Sequence, residues 1–194
     1  MNTNQNLKQQ NLSKNPYLRN IASMLLSIFF NRKFLKGRWF NEHSSGYLWA
    51  FKSIWQRNFL RLEPPAPWPL SLTCKISNFK NITFHPDDLN NFQSPGTYFQ
   101  NFSGHISIGR GSYIAPNVGI ITANHNLNNL NEHEESKDVR IGEKCWIGMN
   151  SVILPGVELG DSTIVAAGSI VTKSFLQGGI VIGGSPAKLI KEIN

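Results

Sequence analysis

Large aliphatic residues recur at every sixth position over much of the chain. The longest unbroken run comprises Ile141, Ile147, Ile153, Leu159, Val165 and Val171, and the same spacing links Ile108, Ile114 and Ile120, and also Leu70, Ile76 and Ile82. The residue after each aliphatic is mostly small, with glycine at positions 142, 148 and 160. An α-helix repeats every 3.6 residues and an isolated strand every two, so neither produces this period.

A short strand followed by a sharp corner does produce a period of six. Each hexad then forms one flat side of a coil, with the aliphatic side chain inside and a small residue where the chain turns. Stacked parallel coils collect the aliphatic residues into ladders. The pattern predicts an all-β fold with a parallel β-helix over residues 70–194. A sandwich of short strands is the less favoured alternative, because it would not require a fixed spacing.

The repeat is interrupted between Ile120 and Ile141. These two residues are 21 positions apart, which is not a multiple of six, and the segment 123–138 between them is polar and rich in Asn, Glu and His. Long insertions in a compact repeat are usually functional. We therefore expect the loop at 123–138 to be functional, although a loop histidine such as His125, taken alone, is more often a solvated surface residue.

The N-terminal third of the chain follows a different pattern. Residues 1–15 are polar and are expected to form a disordered tail. Within residues 47–62 the apolar positions are spaced by three and four, which predicts an amphipathic helix with the stripe Leu48, Phe51, Ile54, Trp55, Phe59 and Leu62. The proline-rich segment 64–69 ends this helix, so we expect a basic, aromatic helical extension over residues 16–69.

The positive charge is confined to the same third. Residues 1–70 contain ten Lys or Arg and two Glu, whereas the remaining 124 residues contain nine basic and ten acidic side chains. Basic and aromatic residues together are typical of segments that contact an anionic membrane surface, so we expect peripheral membrane contact. A solvated basic face is the alternative. Nucleic acid is not an expected partner.

Cysteine content and hydropathy bear on the location of the protein. Two cysteines cannot form a disulfide framework and are typical of a reducing compartment. No apolar stretch reaches 18 residues, and the apolar run 21–30 is not followed by a small-residue cleavage site. We therefore expect a cytoplasmic protein without a signal peptide, with contact at the inner face of the cytoplasmic membrane as a further expectation.

Several blocks between residues 100 and 194 resemble the hexapeptide-repeat acyltransferases of the maltose and galactoside O-acetyltransferase type. They are 108–125 (IGRGSYIAPNVGIITANH), 141–148 (IGEKCWIG), 154–157 (LPGV), 166–169 (AAGS), 171–173 (VTK) and 184–188 (GSPAK). The resemblance implies a left-handed parallel β-helix with three hexads per coil, and homotrimers with active sites between subunits. General crossover rules alone would favour the right-handed form. We also expect a short C-terminal helix.

The same resemblance suggests which residues carry the chemistry. It implies that His125 is the general base, and a positioned base typically contributes about 10²–10⁴ in rate. Its second ring nitrogen needs a partner, for which Asn124, a glutamate of the insert and a backbone carbonyl are the alternatives. The implied acyl donor is acetyl-CoA, and the positions matching its binding residues are Trp146, Met149, Ala167, Thr172, Lys173, Lys188 and Lys191. Trp146 is either a wall of the thioester channel or a packing residue between coils.

Other polar residues have weaker assignments. Asn101 and Asp88 are the candidates for contact with the acceptor, although Asn101 lies six residues closer to the histidine than the matching segment of the family. Cys145 occupies a small inward position and is expected to be structural rather than an acyl-enzyme nucleophile. His105, His125 and His133 could ligate a metal, as in trimeric carbonic anhydrases, but the surrounding blocks fit an acyltransferase better, so no metal is expected.

The sequence thus predicts an acetyl-CoA-dependent O-acetyltransferase. The expected acceptor is a sugar hydroxyl of a bacterial surface polysaccharide, such as a capsule or O-antigen, or of its precursor, and the segments 36–40 and 85–92 are similar to that branch of the family. A serine acetyltransferase or another small-molecule acetyltransferase is the first alternative. A non-catalytic trimeric scaffold is the second, but a scaffold would have no reason to interrupt its coil at His125.

Overall fold

The computed structural model describes residues 16–193. The chain divides into two units, with the boundary between Leu72 and Thr73. The described part of the first unit is helical, and the second consists mainly of short strands. The structural boundary therefore falls three residues after the predicted start of the repeat at residue 70. The predicted tail, residues 1–15, lies outside the described residues.

The described part of the N-terminal unit, residues 16–72, contains three short α-helices. They are α1 (Pro16–Leu26), α2 (Arg38–Asn41) and α3 (Ser45–Ser53), with a 3₁₀ turn at Arg32–Phe34 and a π-helical continuation of α3 at Ile54–Phe59. Phe34 packs against Trp68 with ring centroids 5.0 Å apart, and both side chains are buried. No described helix is long and apolar enough to cross a membrane.

The helix predicted at 47–62 is present in part, but its apolar stripe faces outward. Phe51, Trp55 and Phe59 are more than half exposed, whereas the buried positions are Gly46, Ala50, Ser53 and Arg57. The reason is the buried Arg57 guanidinium, which donates hydrogen bonds to the carbonyl oxygens of Pro64, Leu70 and Ser71 at 2.8–3.4 Å. These bonds turn the small-residue side of the helix toward the proline-rich segment.

The C-terminal unit is a parallel β-helix with three sheets. Its strands are β1 (Lys75–Ile76), β2 (Ile82–Thr83), β3 (Tyr98–Gln100), β4 (Ile106–Ile108), β5 (Tyr113–Ile114), β6 (Gly119–Ile121), β7 (His125–Asn126), β8 (Asn129–His133), β9 (Val139–Ile141), β10 (Trp146–Ile147), β11 (Val152–Ile153), β12 (Glu158–Leu159), β13 (Ile164–Val165), β14 (Ile170–Val171), β15 (Ile180–Gly184) and β16 (Ala187–Glu192). A 3₁₀ segment, Pro86–Gln93, lies between β2 and β3.

The strand pairing confirms the predicted coil of three hexads. The first sheet has the order β1-β3-β6-β11-β14, the second β2-β4-β9-β12, and the third β5-β10-β13-β15-β16. Ile153 pairs with Val171 and Ile147 with Val165, each 18 positions apart. The interior ladder is buried throughout, at Ile108, Ile114, Ile120, Ile141, Ile147, Ile153, Leu159, Val165 and Val171. The aliphatic period of six therefore marks the inside of the coil.

The corners are made differently from the prediction. A residue with positive φ lies three positions after seven of the nine interior aliphatics, at Gly111, Asn117, Lys144, Asn150, Gly156, Ser162 and Gly168. The glycine directly after the aliphatic has another purpose. A Cβ at Gly109 would lie 2.5 Å from the carbonyl oxygen of Gly142 on the next coil. Small residues are needed there because neighbouring backbones approach closely, not because the chain turns.

The predicted C-terminal helix is wrong, because residues Ala187–Glu192 form β16. This strand turns back at Pro186 and pairs antiparallel with β15, with Lys188 opposite Gly183 and Lys191 opposite Val181. The edge of the third sheet offers unpaired backbone groups, and pairing with them satisfies donors and acceptors of the last segment. Tertiary pairing therefore overrides the helical preference of a segment rich in Ala, Lys and Leu.

Replacing one of the close-approach glycines should destabilise the coil. We expect Gly109→Ala to lower the melting temperature by roughly 2–12 °C, because overpacking costs about 1–3 kcal/mol in a chain of this size. Gly119→Ala is the matched control, since its nearest neighbours are Val152 methyl groups at 3.8 Å. Thermal unfolding followed by circular dichroism measures both variants. Equal shifts would contradict the steric explanation.

Candidate active site

The polar insert is an antiparallel hairpin at one corner of the β-helix. It follows β6, at the corner where the chain passes from the first sheet to the second, and it pairs β7 with β8 so that His125 lies opposite His133. Asparagines favour the turn, because the Asn126 side chain accepts a hydrogen bond from the Asn128 amide at 2.8 Å. The Lys137 amide donates to the Thr122 carbonyl at 2.7 Å and closes the base of the insert.

Gln100 anchors the first residues of the insert to the coil beneath it. Its side-chain oxygen accepts hydrogen bonds from the amides of Thr122 and Ala123 at 3.0 and 3.1 Å, and its amide nitrogen donates to the Ala123 carbonyl at 3.0 Å. Both anchored residues are buried. The backbone two positions before His125 is therefore held by three hydrogen bonds. The sequence reasoning missed Gln100, because nothing in the period of six distinguishes this outward position.

The His125 ring has a defined tautomer. Its Nδ1 lies 2.8 Å from the carbonyl oxygen of Leu130, which lies on β8. A carbonyl oxygen can only accept, so Nδ1 carries the proton and Nε2 has a free lone pair in the neutral ring. Of the three alternatives for the orienting partner, the structure shows the backbone carbonyl. The His125 side chain is exposed, so this lone pair belongs to an accessible ring.

A second histidine packs on the first. The rings of His125 and His133 have centroids 4.4 Å apart and are inclined by 31°. The Phe102 ring makes an edge-on contact with His133, with the two centroids 4.9 Å apart. The sequence suggested His133 only as a possible metal ligand, and it did not predict the contact of His133 with His125 or with Phe102. Cross-strand pairing places the two histidines together, and no spacing in the sequence reveals it before the hairpin is known.

The single chain does not bring the predicted donor-binding residues together. Met149 and Ala167 lie at the corner between the third and first sheets, where the Gly168 amide donates to the Met149 carbonyl at 2.8 Å. Thr172 and Lys173 follow β14 and lie at the other corner, the one that also carries the insert. Trp146 starts β10 in the third sheet. Within one chain, these residues are therefore divided between two edges of the β-helix.

The side chains at these positions are exposed, and their apolar and cationic groups suit a long, anionic acyl carrier. Trp146 and Met149 are 55% and 44% exposed, so Trp146 is not buried between coils and offers an apolar surface. Lys188 and Lys191 are exposed on β16, where their ammonium groups could neutralise phosphates. Exposed Ala167 adds a small side chain at a corner, where the backbone is open to close approach.

The two predicted acceptor residues are part of the framework instead. Asn101 is fully buried, and its amide donates to the carbonyls of Asn78 and Asn81 at 2.8 and 3.0 Å while its oxygen accepts from the Asn78 amide. Asp88 is also buried and accepts a hydrogen bond from the Gly111 amide at 2.9 Å. Neither side chain is accessible to an acceptor in this structure.

Within the described residues, Cys145 and His105 do not belong to a metal site or to a second catalytic site. Burial raises the pKa of the Cys145 thiol, and its Sγ lies 3.3 Å from the Gly160 carbonyl oxygen as a hydrogen-bond donor. The His105 Nε2 lies 3.1 Å from the Thr83 hydroxyl. Within residues 16–193, no group of three or more His, Cys, Asp or Glu side chains is arranged to hold a metal ion.

The repeat region matches a known protein family. Residues 138–173 match the family described as bacterial transferase hexapeptide (six repeats). The chain is 40% identical to galactoside O-acetyltransferase of Escherichia coli (strain K12) over 92 residues, which are 46% of this chain and 45% of that protein. It is 37% identical over 89 residues to WcaF of the same strain, provisionally named a colanic acid biosynthesis acetyltransferase, with 46% and 48% of the two chains covered.

Solved structures agree with these sequence matches. A galactoside acetyltransferase in complex with coenzyme A is 31% identical, with a TM-score of 0.51, and the match covers 68% of this chain and 61% of that one. The predicted resemblance to hexapeptide-repeat acyltransferases is thus confirmed. The chain spans about half the length of the curated relatives that it matches.

Cys145 should be unreactive in the native protein. Because its pKa is raised by burial, less thiolate is present at neutral pH than for an ordinary cysteine, and access to the sulfur is blocked. We expect less than a tenth of Cys145 to react with a thiol reagent at pH 8 before denaturation, and full reaction in denaturant. Peptide mass spectrometry distinguishes it from Cys74. Rapid native modification of Cys145 would contradict its structural role.

Proposed function

We propose that this chain, whose residues 138–173 are bacterial transferase hexapeptide repeats, is an acetyl-CoA-dependent O-acetyltransferase with His125 as its general base. The observation that carries the proposal is the hydrogen bond from His125 Nδ1 to the Leu130 carbonyl. It leaves the other ring nitrogen as an accessible acceptor at the corner where the repeat is interrupted. The structural relative that binds coenzyme A supports the choice of donor.

His125 would act on the attacking hydroxyl. A sugar hydroxyl is a weak nucleophile at neutral pH, and a base within hydrogen-bond distance removes its proton as it attacks. Nε2 takes this proton, and the resulting imidazolium is stabilised by the hydrogen bond that Nδ1 already makes to Leu130. The buried Cys145 is not required, so transfer is direct and no acyl-enzyme forms on this chain.

Acetyl-CoA supplies an acyl group activated as a thioester. Trp146, Met149 and Ala167 would hold the pantetheine arm against an apolar, closely approachable surface, and Thr172 and Lys173 would contact it from the other corner. Lys188 and Lys191 would neutralise its phosphates. These assignments follow the family positions and agree with the exposure of the side chains.

We further propose a homotrimer of left-handed β-helices. The predicted donor-binding residues lie at two corners of one protomer, so a complete site requires a corner of a neighbouring subunit beside the insert. The hairpin and its histidine pair would then face the donor held by that neighbour. The structural relative with a TM-score of 0.51 supports the same type of fold.

The proposed acceptor is a sugar of a bacterial surface polysaccharide, such as a capsule or O-antigen, or of its precursor. The similarity to WcaF and to galactoside O-acetyltransferase supports a sugar hydroxyl as the acceptor class. We place the reaction in the cytoplasm, because coenzyme A is used there, and at the inner face of the cytoplasmic membrane, where such precursors are assembled.

Removing the base should abolish most of the turnover while the donor still binds. We expect His125→Ala to lower kcat by about 10²–10⁴, because the hydroxyl loses its proton acceptor. Acetyl-CoA affinity, measured by calorimetry, should remain within about threefold of the wild type. The release of the CoA thiol with a panel of sugar acceptors measures the rate.

An exposed histidine outside the insert provides the control for this variant. His43→Ala should retain the wild-type rate, since His43 belongs to the N-terminal unit and packs on Trp39. More than half of the wild-type rate in His125→Ala would reject the proposed base. Absence of acetyl-CoA binding by the wild type would instead favour a non-catalytic scaffold.

The ring stack should make His133 a positioning residue for His125. We expect His133→Ala to lower kcat by roughly 2- to 10-fold with little change in KM, because an aromatic contact of about 0.5–1.5 kcal/mol no longer restrains the His125 ring. His133→Phe retains a ring at this position and should restore most of the rate. Equal losses in both variants would show that a titrating nitrogen is needed instead of a flat ring.

A further inference from the structure

A cationic cavity lies within the N-terminal unit, apart from the residues of the proposed transfer reaction. Its volume is about 470 Å³, and its lining comes from α1 and from the segment that follows it. Three of the lining side chains are cations, Arg19, Arg32 and Lys36. Asn20 and Asn41 add neutral hydrogen-bond donors to the same lining, and the Ser23 side chain hydrogen-bonds Tyr47. Leu35 and Met24 complete it.

The charge of this cavity has no internal compensation. None of its lining residues is acidic, and across residues 16–193 none of its three cations takes part in an ion pair. Over residues 16–70 the chain has eight Lys or Arg and two Glu, so the surroundings do not supply a compensating excess of carboxylates. Two guanidinium groups and one ammonium that line one cavity together with neutral donors are the chemistry that recognises a phosphate group.

The helix that supplies half of the cavity also carries an apolar face. Ile21, Met24 and Leu25 on α1 are each more than half exposed, and Ile28 just after it is 75% exposed. Met24 belongs to both features, since it lines the cavity and is itself exposed. Exposed aliphatic residues beside a phosphate-binding cavity would contact acyl chains when the cavity holds a lipid head group. A free phosphate would leave this apolar face in water.

We infer that this cavity binds the phosphate of an anionic membrane lipid, with the exposed face of α1 in contact with the acyl chains. Arg19 on α1 and Arg32 and Lys36 in the segment that follows it supply the three cations of the phosphate site. Binding of this kind does not depend on the transfer reaction. It would hold the protein at a surface that carries lipid phosphates.

The test compares two double variants that lose the same charge. Arg32→Gln/Lys36→Gln removes two exposed cations from the cavity, and Lys33→Gln/Lys52→Gln removes two exposed cations that do not line it. Arg19 is left in place because it lies near the hydroxyl of the part-buried Tyr47. Co-sedimentation of the full chain is measured with vesicles of phosphatidylcholine, with and without phosphatidylglycerol. Circular dichroism checks the folding of each variant, and the single substitutions replace any double variant that loses helix.

We expect the wild type to sediment with vesicles that contain phosphatidylglycerol and not with phosphatidylcholine alone. The cavity variant should bind these vesicles roughly 10- to 30-fold more weakly, and the control within about threefold of the wild type. Equal losses in both variants would show attraction by net charge and would overturn the site.

Calorimetry with inorganic phosphate is the second experiment, and it measures whether the cavity binds free phosphate. Cavity-dependent binding of inorganic phosphate without vesicle binding would overturn the lipid assignment, and binding of neither would overturn the whole inference.

Discussion

Close backbone contact between stacked coils is the constraint on which the β-helix depends. Parallel strands pair at about 4.8 Å, so a residue whose Cβ would point directly at the neighbouring backbone must be glycine or another small residue. Gly109, Gly142 and Gly160 satisfy this requirement, because a Cβ at any of them would meet the backbone of the next coil. The interior ladder can then stack in register, and the left-handed corner residues can repeat at the same spacing.

This regular stack gives the candidate site its rigidity. The hairpin leaves the coil at a corner, and the Gln100 side chain and the Thr122 carbonyl fix its two ends to the framework. The hairpin with the two histidines is therefore anchored to backbone that parallel strand pairing already holds in place. A group placed in this way loses little conformational freedom when it acts as a base. The buried Asn101 serves the same framework through its bonds to Asn78 and Asn81.

The N-terminal unit is organised by a buried cation instead of an apolar stripe. The Arg57 guanidinium donates hydrogen bonds to the backbone carbonyls of Pro64, Leu70 and Ser71, in and just after the proline-rich segment. This interaction buries the side of α3 that carries small residues and leaves Phe51, Trp55 and Phe59 exposed. The result is a basic unit with aromatic and aliphatic side chains on its surface, in contrast to the nearly neutral β-helix.

Period and composition alone determined the coil, its interior residues, the position of the interruption and the charge asymmetry, because these depend on spacing along the chain. Tertiary structure decided what depends on contacts between distant residues. The last segment is a strand because it pairs with the edge of the third sheet. The aromatic residues of the helix at 45–59 are exposed because Arg57, on the opposite side, hydrogen-bonds to backbone carbonyls. His133 lies beside His125 because the register of the hairpin pairs these two positions, and this register exists only in the folded insert.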